Sequence, residues 1–253
     1  MIAIIRPISP AINRCERTHV ALQTIDYERA NRQHAEYALA LERLGADVIR
    51  APALPDMPDG VFVEDAAVVF DEIAIIASSR VTSRREEADS IAELLKTHRT
   101  CKRIESPGFL EGGDVLRVDR KVYVGLSTRT NQEGIDQLRA ALSPFHYEVQ
   151  AVAVRGCLHL KTACSYLGRN QVVAHPDWID INRFDDLEIL PVPAGESEAA
   201  NLLVVGETVL MPAGFSQTAR VIRSRGWTVE TLDISELEKA EAGPTCMSIL
   251  FDP

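Results

Sequence analysis

Short apolar runs recur along this chain in pairs, each pair broken by a few polar or glycine residues. In VFVEDAAVVFDEIAIIASS the break is the FDE at 70–72, and in GGDVLRVDRKVYVGLS it lies at Asp119 to Lys121. LHLKTACSYLGRNQVVAH breaks at Gly168 to Asn170, and ANLLVVGETVLMPAG at Gly206 to Thr208. Paired runs around such residues predict four β-hairpins. Between them the apolar spacing becomes helical. Asp26 is placed to cap a helix over YERANRQHAEYALALERLG, with Ala35, Ala38, Leu39, Leu41 and Leu44 as its stripe and Gly45 as its stop. EADSIAELLKTH, QEGIDQLRAAL and QTARVIRSRG predict three more helices, each followed by an extended run: CKRIES, YEVQAVAV and WTVETLDI. A further helix, around PDWIDINRF, has the weakest pattern.

The hairpins repeat at a nearly constant interval. Three open on a polar residue directly before the apolar run, namely Asp65, Asp114 and Asn201, and Lys161 is the nearest equivalent in the other. The steps from Asp65 to Asp114, Lys161, Asn201 and then Cys246 are 49, 47, 40 and 45 residues. An interval of about 40 to 50 residues marks a repeat architecture. Four modules span residues 61 to about 235, and two apolar runs remain, IAIIRP at the N-terminus and CMSILF at the C-terminus. Paired, they complete a fifth module and close the chain into a ring without an exposed sheet edge. An open α/β sandwich also alternates its elements, but it does not call for equivalent polar starts at constant spacing. The expected fold is therefore α/β, a single-domain five-bladed ββαβ propeller over residues 1–253. Its terminal strands pair, and Cys246 starts a hairpin strand.

Composition narrows the function. The 253 residues are 46% hydrophobic and 25% charged, enough for a substantial core, and no run approaches a membrane span. A net charge of −10 disfavours nucleic acid and suits a small cationic substrate. MIAIIRPISP lacks the basic front of a signal peptide and reads as a strand stopped by Pro7. Five cysteines without a CxxC fit a reducing cytoplasm and no disulfide framework. No metal is expected, because Cys157, His159 and Cys164 lack the paired spacings of a zinc site. No GxGxxG follows a strand, and EGGD leads into one, so a dinucleotide fold is excluded.

In a ring of equivalent modules the hairpin starts converge. Found there are Glu64 and Asp65 in FVED, Glu111 and Asp114 in LEGGD, His159 in CLHLKT, Asn201, and Cys246 in TCMS. Each has a plain reading. A lone cysteine is a small hydrophobe, a lone histidine a satisfied structural one, and the EGGD glycines serve a turn with φ > 0. Glu64 and Asp65 sit inside an apolar run, where an unpartnered carboxylate is costly and a cationic ligand would relieve it. On a regular strand they face opposite sides, so sharing one pocket requires a bulge.

In chain order, DGVFVEDAAVV, SRREEAD, SPGFLEGGDVLRV, GLSTRTNQEG, CLHLKT, ESEAANLLVV, VLMPAGF and GPTCMSI resemble the dimethylarginine dimethylaminohydrolases. These are guanidine-modifying enzymes with the five-bladed pentein propeller, and the resemblance runs through nearly the whole chain. It implies Cys246 as nucleophile, His159 as general acid and base, and Glu111 as the carboxylate orienting it. It further implies that Asp65 binds the guanidinium with Glu64 close by, Arg84 and Arg129 hold the α-carboxylate, Asp59 the α-amino end, and Phe62 lines the pocket. For the two arginines the plain reading is solvated surface charge. The implied reaction cleaves asymmetric dimethylarginine or monomethylarginine to citrulline and dimethylamine or methylamine. It passes through a covalent S-alkylthiouronium, needs no cofactor, and takes place in a homodimer. Alternatives are a deiminase of unmethylated arginine or another guanidino or ureido hydrolase, an amidinotransferase, and a non-catalytic pentein. Arginine deiminases carry a helical insertion for which 253 residues leave little room. One stretch departs from the pattern: NRCERTHV, where the family has an apolar lid, carries Arg14, Glu16, Arg17 and His19.

Overall fold

In the computed structural model, which describes Met1–Pro253, all four predicted hairpins form. The chain begins with β1 (Ile2–Ile5), α1 (Tyr27–Arg43) and β2 (Asp47–Arg50). It continues through β3 (Ala67–Val69), β4 (Ile73–Ile76), α2 (Glu87–Leu95) and β5 (Thr100–Arg103), then β6 (Val115–Val118), β7 (Lys121–Leu126), α3 (Gln132–Leu142) and β8 (Glu148–Ala153). The short α4 (Leu160–Ala163) precedes β9 (Cys164–Gly168), β10 (Gln171–Ala174) and β11 (Glu188–Pro191). Last come β12 (Leu203–Val205), β13 (Thr208–Pro212), α5 (Ser216–Ser224), β14 (Thr228–Leu232) and β15 (Ile249–Phe251).

These strands form five three-stranded sheets of one design, a central strand antiparallel to its hairpin mate and parallel to the strand that follows the crossover. The fifth sheet is built from both chain ends. β15 runs antiparallel to β1, with Ile4 opposite Ile249, and β2 runs parallel on β1's other side. The five apolar cores show why this makes a ring. Each joins two successive modules, and the largest joins the first to the last: Ala3, Ile5 and Leu41 pack with Leu203, Leu210 and Leu232. The others link β1 and β15 to β4, β4 to β7, β7 to β10, and β10 to β13. No helix is long and apolar enough to cross a membrane.

Several expectations change. Asp26 caps α1 by accepting the Arg29 N–H at 3.0 Å, but the buried face holds Gln33, His34, Tyr37, Ala38 and Leu41, whereas Ala35 and Leu39 point outward. Polar partners pull that face inward: Tyr37 Oη donates to Pro244 O at 2.8 Å, and Gln33 Nε2 to Ser235 Oγ at 3.0 Å. The fourth crossover contains only a 3-10 turn, Ile181–Arg183, in place of the helix around PDWIDINRF. The short β2 and β11, with half-exposed residues, have no signature in the sequence.

The most consequential change lies at the hairpin starts. Each is a helical turn before the strand: Val63–Ala66, Gly112–Asp114, α4, Ser197–Ala200 and Pro244–Met247. Cys246 therefore sits in the turn ahead of β15, not on the strand.

Candidate active site

Neighbouring turns pack on one another and bring together side chains from different modules. Asp65, His159 and Cys246 line one cavity, with Asp59, Phe62, Arg84 and Arg129 along its wall.

Glu111, fully buried, is the hub. Its Oε2 lies 2.8 Å from His159 Nε2, and its Oε1 accepts from Ser79 Oγ at 2.5 Å and from Arg129 Nη1 at 3.5 Å. Burial would raise this carboxyl. The hydrogen bond from His159 and the guanidiniums of Arg84 and Arg129 outweigh that and hold it well below the usual carboxylate range. Burial likewise would lower His159, but the charges of Asp65, Asp114 and Glu111 raise it to about 9. At neutral pH the pair is an imidazolium held on a carboxylate.

Asp65 Oδ1 accepts the Gly113 N–H at 3.1 Å and lies 3.9 Å from His159 Nε2, while its Oδ2 is 2.9 Å from Arg84 Nη1. The EGGD glycines are required by close approach, not by φ > 0, since neither has a positive φ. A Cβ on Gly112 would stand 2.0 Å from Glu64 O, and one on Gly113 2.7 Å from His159 Nδ1.

Cys246 Sγ accepts the Gly243 N–H at 3.4 Å. Burial pushes the thiol up to about 12, Glu64 and Asp65 push it the same way, and the Gly243 N–H and Lys161 only partly offset them. At neutral pH it is a protonated thiol.

Glu64 is the residue that the structure places elsewhere. In a 3-10 turn successive side chains point about 120° apart, so Glu64 and Asp65 need no bulge and face different spaces. Glu64 turns to a larger opening of about 370 Å³ that holds neither His159 nor Cys246. There it pairs with Lys161 Nζ at 2.6 Å and accepts from Thr245 Oγ1 at 2.7 Å. Asp114 is also turned away, accepting the Leu160 N–H at 2.9 Å and the Ser127 hydroxyl at 2.7 Å.

Neither arginine is solvated. Arg84 is 5% and Arg129 6% exposed. Arg84 spans Asp65 and Glu87, and its charge beside the buried Glu87 leaves that carboxyl, pushed up by burial, at about 7. Burial also raises Asp59, to about 6, although Arg84 and the Glu16 N–H pull it down. Ligand atoms of Asp65, Glu111 and His159 lie within 4.8 Å of one another.

The free space is about 20 Å³, far less than an amino acid needs. The roof is the charged stretch after β1. Its Thr18 and His19 N–H groups donate to the Glu241 carboxylate, and the Glu16 N–H donates to Asp59 at 3.2 Å. Arg17 folds onto its own loop, bonding Cys15 Sγ and Gln23 O, so of the four charges only Glu16 lines the cavity. Sequence reading missed three supports: Ser79 and Thr130, which bond Glu111, and Glu241. None carries a pattern that announces it.

The model of a family described as N,N dimethylarginine dimethylhydrolase, eukaryotic, matches residues 5–187. An N(G),N(G)-dimethylarginine dimethylaminohydrolase of Pseudomonas aeruginosa is 38% identical over 228 residues, covering 89% of this chain and 90% of the relative. One from Streptomyces coelicolor is 37% identical over 248 residues, covering 98% and 95%. Among solved structures, a mutant of the Pseudomonas aeruginosa protein complexed with citrulline superposes with a TM-score of 0.95 at 35% identity, covering 98% of both chains. The N-terminal domain of ArgZ shares the fold at a TM-score of 0.84 and 18% identity, covering 98% of this chain and 96% of that one.

Proposed function

The chain belongs to the dimethylarginine dimethylaminohydrolase family, and on that premise we propose that it hydrolyses Nω-methylated arginine to citrulline and a methylamine, with Cys246 as nucleophile. The observation that carries this reading is the meeting of the Cys246 thiol, Asp65 and the His159–Glu111 ion pair on one cavity, contributed by four modules.

Asp65 holds the guanidinium, exchanging its contact with Arg84 for one with the substrate. A cation arriving beside Cys246 counters the burial and the two carboxylates that keep the sulfur protonated, so the thiol proton leaves to solvent as the substrate binds. The thiolate attacks the guanidinium carbon. His159, already protonated and held by Glu111, gives its proton to the dimethylamine nitrogen as that C–N bond breaks, leaving an S-alkylthiouronium on Cys246. Neutral His159 then takes a proton from water. The hydroxide adds to the same carbon, the C–S bond breaks as the hydroxyl proton passes to the departing sulfur, and citrulline and the Cys246 thiol are released.

Arg84 and Arg129 hold the α-carboxylate, Arg84 after it swings from Asp65, and Asp59 receives the α-amino group, with Phe62 packing on the side chain. Glu64 acts one layer away, through Thr245. We place the reaction in the cytoplasm, because all five cysteines are free thiols. The working unit is a homodimer of one-domain chains.

The test is an assay on asymmetric dimethylarginine, scoring citrulline and dimethylamine together, with Cys246→Ser alongside. Both products are expected from the wild type and neither from the variant. Citrulline from arginine but none from the methylated substrate would make the protein a deiminase. Turnover by Cys246→Ser would remove the nucleophile assignment.

A further inference from the structure

The turn that carries Cys246 is fixed by a side chain from another module that no step above uses. Asn201 closes the Ser197–Ala200 turn and is 5% exposed. Its Oδ1 accepts the Thr245 N–H at 3.1 Å, and its Nδ2 donates to Thr245 Oγ1 at 3.1 Å and toward Cys246 Sγ at 3.8 Å. A backbone N–H can only donate, so it fixes the amide with Oδ1 toward Thr245 N and Nδ2 toward the sulfur. Gly243 completes the arrangement. Its N–H donates to Sγ at 3.4 Å, and a Cβ there would stand 2.2 Å from Asn201 Cγ. The sulfur thus faces two N–H donors, one from the backbone and one from Asn201.

Position 201 opens its hairpin as Asp65 and Asp114 open theirs. A carboxylate there would accept from Thr245 equally well but offer the sulfur only negative charge. Thr245 has one hydroxyl proton, which it gives to Glu64 Oε2 at 2.7 Å, so a second carboxylate would also compete for that proton. Only the amide satisfies both neighbours.

We infer that Asn201 is a positioning residue for the reaction, holding the Cys246 turn through Thr245 and donating an N–H to the sulfur as it becomes a thiolate. The inference rests on Cys246 being the nucleophile. A 3.8 Å contact is long for a neutral thiol and shortens as the sulfur gains charge, so the donor acts more strongly on the reactive form than on the resting one. The titratable and charged groups facing this sulfur are Glu64 and Asp65 from the Val63–Ala66 turn, His159 and Lys161 at α4, Asp59, Arg84, Arg129, Glu16 and Glu241 around the cavity, and the neutral Tyr37 of α1 behind the turn. Of these, Glu64 alone is linked to position 201, through the Thr245 hydroxyl.

The experiment compares wild type, Asn201→Asp and Asn201→Ala in two readouts. One is the rate of iodoacetamide alkylation at Cys246 against pH, with the modified peptide identified by mass spectrometry to separate it from the other four cysteines. The other is kcat and KM on asymmetric dimethylarginine across pH. Asn201→Asp is expected to move the alkylation midpoint up by about one pH unit or more and to lower kcat at neutral pH by about tenfold or more, with KM within about twofold. Asn201→Ala moves both in the same direction by less. A folded Asn201→Asp whose alkylation profile and kcat overlay the wild type overturns the inference. Should Asn201→Asp fail to fold, the Asn201→Ala midpoint decides: raised supports the inference, unmoved overturns it. Cys246→Ser, run in parallel, separates the two claims. If it retains turnover the nucleophile assignment fails, whereas the alkylation profile still reports what Asn201 does to the sulfur.

Discussion

The carboxylates around His159 set both its role and its cost. A histidine raised from its ordinary value of 6.5 to about 9 keeps a proton in the folded chain that it releases in the unfolded one between those values. Its stabilising contribution is complete below the unfolded value and is lost as pH rises through the folded one, on the order of 3 kcal/mol across the window. Asp59 and Glu87, raised by burial to about 6 and 7, act in the same sense at lower pH. His34, lowered by burial to about 4, acts in the opposite sense, but its effect is complete by its ordinary value of 6.5. The melting temperature should therefore fall as pH rises from 7 to 9, and His159→Gln should flatten that slope. Calorimetry across the range would show it, and an equal slope in the variant would remove the imidazolium from the account. His159, Glu111 and Cys246 were readable in the sequence because such residues are unusual at strand starts, whereas Asp59 came only from the family resemblance and His34 and Glu87 sit unmarked in α1 and α2. Ser79 and Thr130 were not, since a hydroxyl in a loop looks the same whether or not it holds Glu111.

At the level of elements, the sequence announces what has a period and misses what is too short to have one. Hairpins show through their paired runs and turn residues, and α3 forms over the residues that its pattern marks. A four-residue turn such as Pro244–Met247 spans barely one helical repeat and so shows no periodicity, and the strand pattern absorbed it and Cys246 with it. The Val63–Ala66 turn, equally short, frees Glu64 to leave the cavity that Asp65 enters. The roof stretch has no regular element apart from the 3-10 turn Ile12–Arg14, and its hold on Glu241 is a local matter of two N–H donors and one carboxylate. With about 20 Å³ beneath it, the roof must open for substrate to bind. Glu241→Ala should favour the open roof, speeding Cys246 alkylation without substrate and raising KM on the order of tenfold. Unchanged alkylation and unchanged KM together would show that the latch lies elsewhere.

On the scale of the whole molecule, the same closure that hides two sheet edges also places the nucleophile. β15 meets β1 through three residue pairs, and it begins two residues after the turn that holds Cys246. Ile249 and Phe251 are buried with Ile2 and Ile4 in the core between the first two modules. Ile249→Ala should cost about 2–5 kcal/mol, or roughly 2–4 °C of melting temperature for each kcal/mol in a chain of this size. A cavity at Val122, in the core that joins β4 to β7, serves as the comparison, because it lowers stability without touching either chain end. Measured well below both melting temperatures, Val122→Ala should turn over like the wild type. Ile249→Ala should lose kcat although folded, because the strand that anchors the nucleophile's turn has lost its grip on β1. Equal activity in the two variants would mean that the Asn201 and Tyr37 contacts hold the turn unaided, and that closing the ring contributes stability but not geometry.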